Sequence, residues 1–304
     1  MADRDAPRVA ARPDTSCVAP QLAEENHDRT VRWRPDGTAL ADSAITALRR
    51  HHDLLAARVR GFDDDDLARQ SGASEWSVAQ VLSHLGSGGE IALAGLQAAA
   101  AGANRPDQDF NLGVWDRGNA MTRRQQADGF LAANEALVSA YENMDDTARR
   151  DLRLDLGFLP FPADLALVSG MRLNEATLHG WDVRVAFDPE ATLPANEAAI
   201  ALDLITGPFS FLLGFQAKTA ILNGREVTIR VVTTNPDRVV GLVLGDKTQL
   251  GDAPGDADAV LTAPAEAFLR LLAGRLAAAH TPDSVILAGD AVTLDQLRTV
   301  FPGY

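Results

Sequence analysis

The chain of 304 residues has one cysteine and two lysines. Cys17 sits in a polar, proline-dotted stretch near the N-terminus, which excludes an intrachain disulfide, a CxxC redox pair and a cysteine-rich zinc site. Any thiol chemistry must take its sulfur from a second molecule. With only Lys218 and Lys247, arginine carries nearly all the positive charge; together with abundant alanine this reads as genome composition and not as mechanism. No run approaches the roughly 18 consecutive apolar residues of a membrane span. The first thirty residues also lack the basic-then-apolar order of a signal peptide. The expectation is a cytoplasmic protein. Positive charge is short overall, with 28 Lys+Arg against 42 Asp+Glu and a formal net charge of -14. No basic patch offsets this, so nucleic acid and anionic membrane surfaces are excluded as partners.

What is present is a chain with 46% hydrophobic residues, enough to bury ordinary cores in two domains. Residues 1–37 mix prolines, charges and scattered apolar residues without a period, which predicts a mobile N-terminal extension. From Thr38 to about Arg60, Leu40, Ile45, Leu48, Leu54 and Leu55 recur at helical spacing until "GFDDDD" ends the first helix. Ser77 followed three residues later by Gln80 is a capping box, with Trp76 placed to staple onto Val81. It opens a second helix that runs past His84 towards Ala100, weakened by "GSGG" at residues 86–89. The stretch "RGNAMTRRQQADGFLAANEALVSAYENM" predicts one long third helix, and about Ala163 to Val185 a fourth.

Past residue 194 the pattern changes. After a helix near 195–214, "REVTIRVVTTNPDRVVGLVLG" places two β-branched runs around an "NPD" turn, the signature of a hairpin. A strand at "ADAVLTAP", a helix ended near Gly274, and a final strand and helix follow. The expected organisation is α+β: a four-helix bundle over residues 38–188 and a smaller mixed α/β domain over 195–304, joined by a linker from Pro189 to Pro194.

The fourth helix carries "RLNEATLHGWDV", Arg172 to Val183. Steps of three and four put Arg172, Glu175, His179 and Asp182 along one face. That stripe is either a solvated face with an ordinary i, i+4 pair or two ligands of a metal site, since a carboxylate and an imidazole one turn apart reach a single cation. A third ligand must then come from another helix, and His84 interrupts the apolar set Val78, Val81, Leu82 and Leu85. His27, His51, His52 and His280 read as surface or structural residues.

The segments "GASEWSVAQVLSHLGSGGEIAL" and "RLNEATLHGWDV", with "GFDDDDLARQSG" and "WDRGNAMTRRQ" between and before them, resemble the mycothiol-dependent maleylpyruvate isomerase family, a branch of the DinB-like four-helix metalloproteins. The resemblance covers about residue 40 to the C-terminus. It implies a DinB-like bundle with an added α/β domain that ends in a Gly-Arg pair, here Gly274 and Arg275. It also implies metal ligands at His84, Glu175 and His179. Arg172 and Asp182 flank these on the same helix face and are placed to support them, and Arg275 of the Gly-Arg pair is the candidate catalytic residue, to bind a substrate carboxylate or stabilise an enolate. Two imidazoles and a carboxylate suit Zn2+, with nickel or iron as alternatives. The open coordination position then either binds mycothiol as a thiolate or activates water. The resemblance favours mycothiol adding to a small electrophilic substrate, giving S-transfer or cis-trans isomerisation. A thiol-independent metallohydrolase and a non-catalytic regulatory protein are the alternatives. The oligomeric state expected is monomer or homodimer.

Overall fold

A computed structural model of the chain describes residues 37–207, 210 and 213–303. The extension expected over residues 1–37 lies outside these, save Gly37. The elements run α1 (Gly37–Val59), α2 (Asp64–Ala68), α3 (Val78–Ala100), α4 (Gln108–Ala120), α5 (Arg123–Glu142) and α6 (Asp146–Asp151). A short ladder of β1 (Arg153–Leu154) and β2 (Ala163–Asp164) leads into α7 (Leu165–Val185), followed by α8 (Ala195–Thr206) and α9 (Leu213–Gln216). The remainder holds β3 (Val227–Thr234), β4 (Arg238–Leu244), β5 (Gln249–Gly251), β6 (Ala259–Pro264), α10 (Ala265–Leu272), β7 (Ile286–Ala288) and α11 (Leu294–Val300).

Helices α1, α3, α5 and α7 form a four-helix bundle in which α3 packs on α5 and α7, and α1 on α7 and α5. The capping box expected at Ser77 is present: Gln80 N–H donates to its hydroxyl at 3.3 Å, and Ser77 N–H donates to the Gln80 side chain at 2.8 Å. The glycines do not break α3, which is continuous through residue 100. They set how closely it approaches its neighbours instead. A Cβ on Gly86 would lie 3.1 Å from the Phe130 backbone, and one on Gly88 would lie 2.9 Å from Arg172 Nη1. A helix interior normally loses about 1 kcal/mol for glycine relative to alanine; here the close crossing of α3 and α5 offsets it.

The single third helix expected from residue 117 to 144 is two helices. Thr122 caps α5 through a box with Gln125, and the chain is extended at Met121. Asp107, read as loop, is the N-cap of α4. Both misses are caps buried inside a polar, helix-permissive stretch, where local hydrogen bonding of Thr and Asp side chains stops one helix and starts another. Likewise, the helix expected over 195–214 stops at Thr206.

The C-terminal sheet has the order β5-β4-β3-β6-β7, with β3 parallel to β6 and all other neighbours antiparallel. Along β3, Val227, Ile229 and Val231 are buried and alternate with less buried residues, as a half-covered strand requires. That face packs under Phe268, Leu271 and Leu272 of α10 and Leu297 and Val300 of α11; each such side chain contributes about 1.5–3 kcal/mol on burial. A second buried cluster joins the two parts of the chain, bringing Leu178 and Trp181 of α7 against Ala198 and Ala201 of α8 and Leu269 of α10.

Candidate metal centre

The i, i+4 spacing of α7 places Glu175 and His179 on one face, and the α3–α7 contact brings His84 opposite them. His84 Nε2 lies 3.1 Å and His179 Nε2 3.6 Å from the same oxygen, Glu175 Oε1. The imidazole centroids are 4.7 Å apart, and the three ligand atoms all lie within 4.8 Å of one another. The His84 and Glu175 side chains are 34% and 32% exposed, so the cluster is open to a ligand on one side. On another side the Trp76 ring lies 5.1 Å from His84 and 6.0 Å from His179.

Behind the cluster, Asp182 is fully buried and accepts from His179 Nδ1 at 2.9 Å. Asp182 in turn accepts from Arg275, Nε to Oδ1 at 2.9 Å and Nη2 to Oδ2 at 2.8 Å. Arg275 Nη1 donates to the Ala273 carbonyl at 2.9 Å. Gly274 makes this reach possible: its φ of +70° turns the chain after α10, and a Cβ there would collide with the backbone of Gly303.

Burial pushes the Glu175 carboxyl up, but hydrogen bonds with His179 and His84 outweigh it and hold the group well below the usual carboxylate range. Burial pushes His179 down, and its hydrogen bonds to Asp182 and Glu175 raise it above the ordinary imidazole value. Burial raises Asp182, and the His179 hydrogen bond and the Arg275 charge bring it below its ordinary value. Both carboxylates are thus held in the anionic form, Glu175 by the two imidazoles and Asp182 by His179 and Arg275.

Residues 48–184 match the family described as the mycothiol maleylpyruvate isomerase N-terminal domain. The fold as a whole is similar to the crystal structures of the mycothiol-dependent maleylpyruvate isomerase and of its histidine-to-alanine mutant. These are 14% and 13% identical to the chain, each with a TM-score of 0.56, covering 82% of this chain and 92% of theirs. No curated protein matches the chain in sequence.

Within the bundle the structure brings together His84, Glu175, His179 and Asp182. Arg172, expected to flank the ligands, turns the other way: its Nη2 donates to the Leu85 carbonyl at 2.7 Å and to Asn134 Oδ1 at 2.6 Å. One turn along α7 does not put a long side chain beside its neighbour when a groove lined by Gly88 lies in reach. Asn134 was not singled out from the sequence, although a lone amide among Phe130, Leu137 and Tyr141 is a signal for a buried polar contact. Of the other histidines, His51 is buried and its Nδ1 lies 2.9 Å from Glu197 of α8. Ligand atoms of His52, Asp53 and Glu135 also lie within 4.8 Å of one another, but Glu135 already accepts from Arg49 at 2.7 and 3.1 Å. Among the described residues no helix is long and apolar enough to cross a membrane.

Proposed function

We propose that the chain is a metal-dependent enzyme that uses mycothiol as a thiol cosubstrate, adding it to a small electrophilic substrate with S-transfer or cis-trans isomerisation as the outcome. The observation that carries this reading is the convergence of two imidazole Nε2 atoms on one oxygen of Glu175, at the wall of a cavity of about 620 Å3. The match of residues 48–184 to the mycothiol maleylpyruvate isomerase N-terminal domain supports the choice of thiol.

His84, Glu175 and His179 fit a divalent metal, with Zn2+ favoured by the donor set of two imidazoles and a carboxylate. Such an ion, when bound, supplies Lewis acidity that lets a thiol act as thiolate near neutral pH. Asp182 accepts the Nδ1 proton of His179, which fixes the tautomer that leaves Nε2 with its lone pair. Arg275 was expected to meet the substrate directly. Its Nε and both Nη atoms are taken up by Asp182 and the Ala273 carbonyl, so in this proposal it is a positioning residue that holds Asp182. Trp76 covers the imidazoles on one side and restricts water there.

The chemistry is balanced without a redox partner. The thiol sulfur forms a bond to the electrophilic carbon of a conjugated substrate while a proton goes to the neighbouring carbon or oxygen. Rotation and loss of the thiol give the isomer; retention gives the conjugate.

Calorimetric titration of mycothiol into the zinc-loaded full chain tests this, with glutathione as control and Glu175→Ala as blank. Saturable binding of mycothiol that disappears in Glu175→Ala is expected. Absence of heat from either thiol would overturn the reading in favour of a water-activating hydrolase on the same bundle.

A further inference from the structure

The cavity of about 620 Å3 that begins at Glu175 extends between α3, α7, α8 and α10, a volume within the roughly 300–1,000 Å3 of small-molecule sites. Glu175 belongs both to this wall and to the candidate metal cluster, so a molecule filling the cavity has one end beside the imidazoles. The wall is mostly aliphatic, with Ile91, Leu178, Leu204, Leu269 and Leu272, and the exposed Phe158 adds to it. On α3 the lining residues are Gly88, Ile91, Ala92 and Gly95, steps of three and four that mark one helix face. All but Ile91 are small, and a Cβ on Gly95 would meet nothing within 4 Å. Small residues on this face leave the volume open.

Charge at the wall is matched within the protein. Among the described residues the charged side chains that line it are Arg105, Asp155, Arg172 and Glu175. Arg105 Nε lies 3.5 Å from Asp155 Oδ2. Arg172 donates to the Leu85 carbonyl and to Asn134 Oδ1, and the Glu175 charge acts on it. Residues 205–212, which connect the wall residues Leu204 and Leu213, carry no charge. An anionic ligand would therefore bring its charge against aliphatic surface without gaining an unmatched cation there, which is costly. Asn174, beside Glu175 in the chain, also lines the cavity, and its uncharged amide suits a single neutral carbonyl.

We infer that this cavity takes the electrophile of the proposed reaction, and that the electrophile is an uncharged α,β-unsaturated carbonyl compound with an apolar body. The conjugated end lies at Glu175 and Asn174, and the alkyl or aryl body lies along Ile91, Leu204 and Leu269. Addition of the thiol forms the S–C bond at the β-carbon and places the thiol proton on the α-carbon, so the step balances without a further reactant. A small dicarboxylate fits poorly, because at least one of its charges would face the aliphatic wall. The inference deepens the proposed function by naming the substrate class, and it rests on that function for the chemistry performed on the bound molecule.

The test is equilibrium binding of the unreactive ketones 2-butanone, 2-hexanone and 2-octanone to the full chain, with adipate as the dicarboxylate, each with and without a chelator. Affinity for the ketones should rise about fourfold per added methylene, with or without metal. Adipate should bind about tenfold more weakly than 2-octanone, or less tightly still. Gly95→Leu, which removes a helix glycine and fills the cavity, should weaken 2-octanone about tenfold. Gly113→Leu, the same exchange at an exposed position of α4 that does not line the cavity, should leave it unchanged. Affinity that does not grow with chain length, adipate binding as tightly as 2-octanone, or 2-octanone binding unaltered in Gly95→Leu would each overturn the inference. With mycothiol and zinc present, 3-octen-2-one should be turned over faster than maleate; the opposite order would overturn the substrate class. Ketone binding needs neither thiol nor metal, so ketone binding without mycothiol binding would sink the proposed function alone, and mycothiol binding without ketone binding would sink the substrate class alone.

Discussion

Arg275 and Asp182 stand 93 positions apart in the chain and meet in two parallel hydrogen bonds of 2.9 and 2.8 Å. This fork ties the segment after α10 to the face of α7 that carries His179. Both partners are buried, so the pair is held by mutual need. Removing one leaves the other charge in a low-dielectric site, at a cost of about 3–5 kcal/mol.

Arg275→Met should therefore lower the unfolding free energy in urea by about that amount. Asp182→Asn should do likewise, and the double variant should recover part of the loss. Because Asp182 also orients His179, both single variants should bind Zn2+ about 10–100-fold more weakly, read by competition with a chromogenic chelator. Unchanged zinc affinity in both would show that the fork serves stability only.

Metal content separates the candidate ligands from the other histidines. His84→Ala and His179→Ala should each lose most bound zinc by elemental analysis of the purified protein. His280→Ala should retain it, since that ring contacts the Pro189 carbonyl and Trp181 instead. Full retention in the first two would remove the site.

Gly180 faces the His51 ring, and a Cβ there would collide with it. Alanine in a helix interior gains about 1 kcal/mol over glycine, but overpacking costs about 1–3 kcal/mol. Displacing His51 from Glu197 would add a broken buried hydrogen bond. Gly180→Ala should thus lower the melting temperature; a rise would show that the α1–α7 seam yields easily.

Glu135 on α5 accepts from Arg49 of α1, which also binds Glu142 at 2.8 Å. Hydrogen bonds from Arg49, and then from Ser139, bring the Glu135 carboxyl from the usual 4.5 down to about 2. A carboxyl depressed in the folded state stabilises fully above its unfolded pKa and loses that contribution as pH falls through the folded one. Glu135→Gln should accordingly flatten the pH dependence of unfolding between about 4.5 and 2, with the two proteins converging near the lower limit. An unchanged slope would show that Arg49 is satisfied by Glu142 alone.

Much of the bundle is legible in the sequence because its signals are local. The Ser77–Gln80 box, the period of α1 and the 175/179/182 spacing each need only residues within a turn or two. The break between α4 and α5 was missed because Thr122 and Asp107 act through single hydrogen bonds in stretches whose composition permits helix on either side. The glycines of "GSGG" were misread as weakness because their purpose, close approach to Phe130 and Arg172, lies on other helices.

By itself the sequence determined which groups are offered, in that helical periodicity alone puts Glu175, His179 and Asp182 on one face. It also excluded an internal thiol, since Cys17 is the single cysteine. Tertiary structure decided which groups meet. His84 reaches Glu175 across 91 residues, Arg275 goes to Asp182 and not to open solvent, and Arg172 goes to Asn134 and the Leu85 carbonyl. Those choices depend on how side chains from distant segments fill a common volume, and no local spacing encodes that volume.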